Sequence, residues 1–111
     1  WRQTDFTLRA RLPAGSGADG LSIAPDGTVY VALAFAGALA RLAPAAAGPD
    51  AEHEIIYRAE PIAAGPGADP LGVYDCAVLG DSGRIAVAMA SLDEALAMRV
   101  DTGRIAVLDL P

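Results

Sequence analysis

Ala14-Gly15-Ser16-Gly17-Ala18-Asp19-Gly20-Leu21 recurs at an offset of 50 as Ala64-Gly65-Pro66-Gly67-Ala68-Asp69-Pro70-Leu71, with six of the eight positions identical. Self-similarity at such a period marks architectures built by stacking one supersecondary unit, propellers among them. The match continues on both sides. Downstream, Gly27-Thr28-Val29-Tyr30-Val31-Ala32 recurs as Gly83-Arg84-Ile85-Ala86-Val87-Ala88 at an offset of 56, and Ala40-Arg41-Leu42 as Met98-Arg99-Val100 at an offset of 58. Upstream, Phe6-Thr7-Leu8-Arg9-Ala10-Arg11-Leu12-Pro13 resembles both Ile55 to Pro61 and the terminal Arg104 to Pro111, so a strand ending in proline closes each unit.

The residues inside each unit read as strands. In Thr28 to Phe35, Val29, Val31, Leu33 and Phe35 fall on one face at a period of two. Pro25-Asp26-Gly27 ahead of them supplies a fixed φ and then a residue tolerant of positive φ, a tight hairpin from Leu21-Ser22-Ile23-Ala24. The predicted order is an outer strand at 5 to 12, strands near 20 to 24, 28 to 35, 38 to 43 and 53 to 60, then near 71 to 77, 84 to 90, 95 to 101 and 103 to 110. That is an all-β chain of two four-stranded antiparallel units, about 14–61 and 64–111, with a leading strand at 5–12 from a preceding unit. Ser91-Leu92-Asp93-Glu94 also has the form of a helix capping box, with Leu92, Ala95, Leu96 and Val100 on one helical face. The repeat alignment favours a strand there.

Four-stranded units repeated in tandem are β-propeller blades, and propellers close with roughly four to eight of them. Two blades make an incomplete ring. The chain starts on Trp1 and stops on Leu110-Pro111 directly after a strand-like run, so the reading expects a piece of a longer propeller. Its remaining blades would come from the same chain or from self-association.

Composition narrows the partners. Eight Lys+Arg stand against 14 Asp+Glu, a formal charge of -6, the opposite of the basic face that neutralises phosphates, which argues against nucleic acid. The apolar stretch from Val29 to Ala40 lasts 12 residues before Arg41. A membrane span needs about 20 residues, so no membrane partner is expected. No charged n-region precedes an apolar h-region, and the compartment stays open between cytoplasmic and secreted. One cysteine, Cys76, and one histidine, His53, leave no Cys/His zinc cluster and no intrachain disulfide.

Ala18-Asp19-Gly20-Leu21-Ser22-Ile23-Ala24-Pro25-Asp26-Gly27-Thr28-Val29-Tyr30-Val31-Ala32 resembles the P-N-G-L-A-x-S-P-D-G-x-L-Y-V-A element of the regucalcin and gluconolactonase family, six-bladed propellers that hydrolyse sugar lactones and related esters. NHL-repeat, strictosidine-synthase-like and streptogramin-lyase-like proteins share similar wording. The resemblance implies a small-molecule substrate and one divalent metal, calcium or zinc, at the mouth of the channel. It is held by a Glu from an early blade, an Asn whose position matches Asp19, and an Asp whose position matches Asp69. Asp19 departs from the amide ligand, and no residue supplies the early Glu. The implied chemistry has the metal polarise an ester carbonyl while Asp69 activates water. A non-catalytic NHL-like propeller, binding a protein or small ligand on its channel face, is the alternative.

Each residue has a plainer role to set beside this one. An Asp beside Gly commonly caps a turn by accepting backbone N–H groups, and turn chemistry accounts for Asp26 and Asp81. Asp75 lies in an inner strand and is placed to face the channel. Cys76 without a nearby His reads as a small core hydrophobe. His53 sits between Glu52 and Glu54 on a solvated rim, and Tyr30 and Tyr74 read as structural.

Overall fold

A computed structural model of the chain describes residues 10–46, 48, 50–60, 70–92 and 103–111. Seven strands form among them: β1 (Ala18–Ile23), β2 (Val29–Leu33), β3 (Ala38–Leu42), β4 (Glu54–Arg58), β5 (Leu71–Val78), β6 (Arg84–Ser91) and β7 (Arg104–Asp109). They make two sheets, one of order β1-β2-β3-β4 and one of order β5-β6-β7, antiparallel throughout. The fold is all-β, as the periodicity predicts. Among the described residues the two sheets close no ring, and no helix there is long and apolar enough to cross a membrane.

The hairpins follow the predicted turn chemistry. The N–H of Gly27 donates to the carbonyl of Ala24 at 2.9 Å, with Gly27 at φ 89°, and the Asp26 carboxylate accepts from Thr28 N–H at 2.8 Å. In the second unit Ser82 takes the place of Asp26: its hydroxyl oxygen accepts the Arg84 N–H at 3.2 Å, ahead of Gly83 at φ 76°. The capping role assigned to Asp81 therefore belongs to its neighbour. Strand β2 stops at Leu33, two residues short of the predicted end, because Ala34 to Gly37 turn back with Gly37 at φ 58°. Phe35 leaves the Val29–Val31–Leu33 face and stands exposed in that turn.

Alternation then decides the packing. Tyr30 and Ala32 of β2 and Leu39 of β3 form one face of the first sheet, which packs on Val73, Ile85, Val87 and Met89 of the second. The opposite face, Val31, Leu33, Ala40 and Leu42, is covered in part by Ala10 and Leu12. Strands β2 and β3 are thus buried on both faces, which is why β2 reads as an unbroken apolar run, Val-Tyr-Val-Ala-Leu, whereas β1 leaves Leu21 and Ile23 exposed on the outer face. Strand β5 lies over β1 and β2, fixed by a hydrogen bond from Val78 N–H to the Ser22 hydroxyl at 3.0 Å.

The third strand of the second unit departs from prediction. The stretch 95–101, read as a strand with a helix as its rival, lies outside the described residues, as does most of the predicted strand at 5–12. Yet β6 pairs with β5 along one edge and with β7 along the other, Arg84 opposite Asp109 through Met89 opposite Arg104. A strand has two edges, so nothing stands between 84–90 and 103–110. The structural counterpart of Ala40-Arg41-Leu42 is Ala106-Val107-Leu108, and the match to Met98-Arg99-Val100 is a local likeness without register.

Candidate functional site

Register also fixes how β1 corresponds to β5. Leu21 pairs with Val31, and Cys76 pairs with Val87, the repeat partner of Val31. Carried along the strand, this places Asp19–Gly20 as two residues opposite Ala32 and Tyr74–Asp75 as two residues opposite Ala88. Both units therefore carry a β-bulge at one and the same place. A bulge bends the strand and re-aims side chains, and bulges gather at sheet edges beside functional sites. The repeat match equates Asp19 with Asp69, whereas the ladder equates Asp19 with Tyr74. Asp69 itself lies outside the described residues.

The two bulges meet. Asp19 is exposed, and a Cβ on Gly20 would stand 2.7 Å from the Cα of Asp75, so the bare backbone of β1 is what lets β5 approach. Gly72 makes room in the same way for the Tyr74 ring, whose Cζ would lie 2.8 Å from an added Cβ. One Asp75 carboxylate oxygen accepts the Cys76 N–H at 2.8 Å. Burial, and then the negative charge of Asp19, push the Tyr74 hydroxyl above the usual phenol range. It stays protonated at neutral pH. The bulges thus bring Asp19 of the first sheet near Tyr74 and Asp75 of the second.

This edge offers oxygen ligands to a hard cation, but few. Among the described residues no group of three or more His, Cys, Asp and Glu side chains gathers around one point. Calcium takes 6–8 oxygens, more than the carboxylates of Asp19 and Asp75 offer. Tyr74 and Asp75 gain their place from the bulge. Glycine is what makes room at both points: a Cβ on Gly20 would meet Asp75 of the other sheet, and one on Gly72 would meet Tyr74 and Leu92.

The remaining candidates stand elsewhere. His53 is half-buried just ahead of β4, the far edge of the first sheet from β1, where the Arg41–Glu54 ion pair joins β3 to β4. Tyr30 is core, and Tyr57 bridges the sheets through its hydroxyl to the Met89 sulfur at 3.5 Å. Cys76 is buried and its thiol donates to the Tyr30 carbonyl at 3.7 Å. Burial, and then the charge of Asp75, push this thiol up to about 11. The neutral thiol is the form the fold accommodates, so this contribution to stability is present at and below pH 9 and is lost as pH rises toward 11. Folded protein at pH 8 should react with a disulfide reagent far more slowly than urea-unfolded protein; equal rates would show Cys76 accessible.

Comparison of the chain with protein-family models, with curated proteins and with solved structures returns no match.

Proposed function

We propose that this chain forms part of a divalent-metal-dependent hydrolase of sugar-lactone or related ester substrates, with Asp19 as a metal ligand. The observation that supports the reading is the exposed Asp19 carboxylate on the bulged edge strand β1, beside Tyr74 and Asp75 from the equivalent bulge of the second sheet. The bound cation would supply Lewis-acid polarisation of the ester carbonyl. The protein's own groups bind and orient around it. The protonated Tyr74 hydroxyl donates a hydrogen bond to a substrate oxygen, and a carboxylate, Asp69 in the family resemblance, takes the proton from attacking water.

Titration calorimetry with Ca²⁺ and with Zn²⁺ tests the ligand assignment. Asp19→Ala should weaken binding at least tenfold and leave the melting temperature of the metal-free protein nearly unchanged, since an exposed side chain contributes little to packing. Asp69→Ala should do the same if the resemblance carries over. Asp19→Asn restores the family's amide and should retain binding, because an amide oxygen still ligates a hard cation and one of two like charges is removed. Asp81→Ala, at a hairpin, should bind as wild type does. Metal affinity unchanged in both Asp19→Ala and Asp69→Ala would leave these aspartates as turn residues and move the chain to the ligand-binding, non-catalytic reading.

A further inference from the structure

The two outer sheet faces are the two halves of an interface this chain already contains. Leu39 pairs with Ala32 and Ile105 with Ala88, and Ala32 and Ala88 are repeat partners, so Leu39 and Ile105 hold one position in two sheets. Leu39 is 0% exposed against the second sheet, and Ile105 is 78% exposed with nothing described against it. On the opposite faces the relation is reversed. Ile23 pairs with Val29 and Val78 with Ile85, which makes Ile23 the counterpart of Val78, as Leu21 is of Cys76. Cys76 and Val78 pack in the interface between the sheets, while Leu21 and Ile23 are 60% and 61% exposed.

We propose that the outer face of β5-β6-β7 on one copy of this chain docks against the β1 side of the first sheet on a second copy, in the manner of the internal sheet-to-sheet contact. Ile105, Ala86 and Ala88 enter where Leu39, Tyr30 and Ala32 enter internally. Leu21 and Ile23 receive them, beside an apolar groove that continues to Ala10, Leu12 and Val29. A second copy is the occupant because each chain presents both halves on opposite sides, at positions equivalent to those that pack in the internal contact. The contact is heterologous, so it propagates until rotation closes a ring or leaves an open filament. Burying such large apolar side chains contributes roughly 25 cal/mol per Å² of apolar surface removed from water, less the cost of association.

Light scattering after size exclusion of the full chain should give a mass at least twice the 11.3 kDa of one chain. Ile105→Asp and Ile23→Asp should each return it to a single chain with an unchanged far-UV spectrum, since both positions are exposed in the isolated fold. Phe35→Asp, 59% exposed but in the Ala34–Gly37 turn, should keep the larger mass. Leu21→Cys mixed with Ala86→Cys should cross-link under copper-phenanthroline oxidation, and neither variant should cross-link alone, because Leu21 matches Cys76 and Ala86 matches Tyr30 across the internal contact. A single-chain mass at every concentration overturns the proposal. So does association that survives both aspartate variants, or cross-linking of Leu21→Cys by itself, which would mean a self-matched contact or none at these faces.

Discussion

Gly20→Ala is expected to lower the melting temperature by roughly 10 to 20 °C, given about 2 to 3 kcal/mol of overpacking in a domain where each kcal/mol moves the midpoint by about 4 to 8 °C. The added methyl would sit 2.7 Å from the Asp75 Cα, and that atom belongs to the backbone of β5. A flexible side chain could swing aside; a paired strand cannot without breaking its ladder to β6. Gly80→Ala provides the contrast. Gly80 has φ 58° and open space around its Cβ position, so its loss costs only the left-handed strain of about 1 to 2 kcal/mol. Thermal melts of the two variants in metal-free buffer separate close approach from backbone conformation. A Gly20→Ala midpoint within about 3 °C of wild type would mean that β1 and β5 do not meet at this point. Because Gly20 is the second residue of the Asp19 bulge, the same variant should also weaken any cation binding that Asp19 supports.

Much of this architecture could be read from residues alone, and the reason lies in period and punctuation. Val29 to Leu33 alternates at a period of two, and Pro25-Asp26-Gly27 can only turn, so β1, β2 and their hairpin fall within two residues of prediction. What could not be read is register. Short repeat matches locate a strand but not its rungs: the sequence match from Asp19 to Leu21 runs at an offset of 50, while the ladders equate β1 with β5 at an offset of 55 throughout. The site is sensitive to register: the sequence match pairs Asp19 with Asp69, which lies outside the described residues, while the ladder puts Tyr74, read as structural from sequence, at the position equivalent to Asp19. Likewise Met98-Arg99-Val100 resembles Ala40-Arg41-Leu42 in chemistry, but partner strands are chosen by the ladder, and β7 has taken that edge.

The equivalence of sheets also predicts a large asymmetry between two otherwise similar truncations. Leu39 and Ile105 occupy the same rung, and Leu39→Ala should cost about 2 to 5 kcal/mol, because a fully buried leucine loses both its transfer energy and the packing around the cavity it leaves. Ile105→Ala, at a position 78% exposed in the isolated fold, should stay within about 0.5 kcal/mol at dilutions where chains are apart. Raising the protein concentration ought to change only the second value, since a residue buried by association stabilises by mass action and one buried inside the chain does not. Urea unfolding of both variants at low and high concentration reads all four quantities. Equal costs at low concentration would mean that something within the chain already covers the outer face of β5-β6-β7. A Leu39→Ala cost below about 1 kcal/mol would mean that the two sheets do not pack through Tyr30, Ala32 and Leu39, and the shared-rung argument for the outer faces would fall with it.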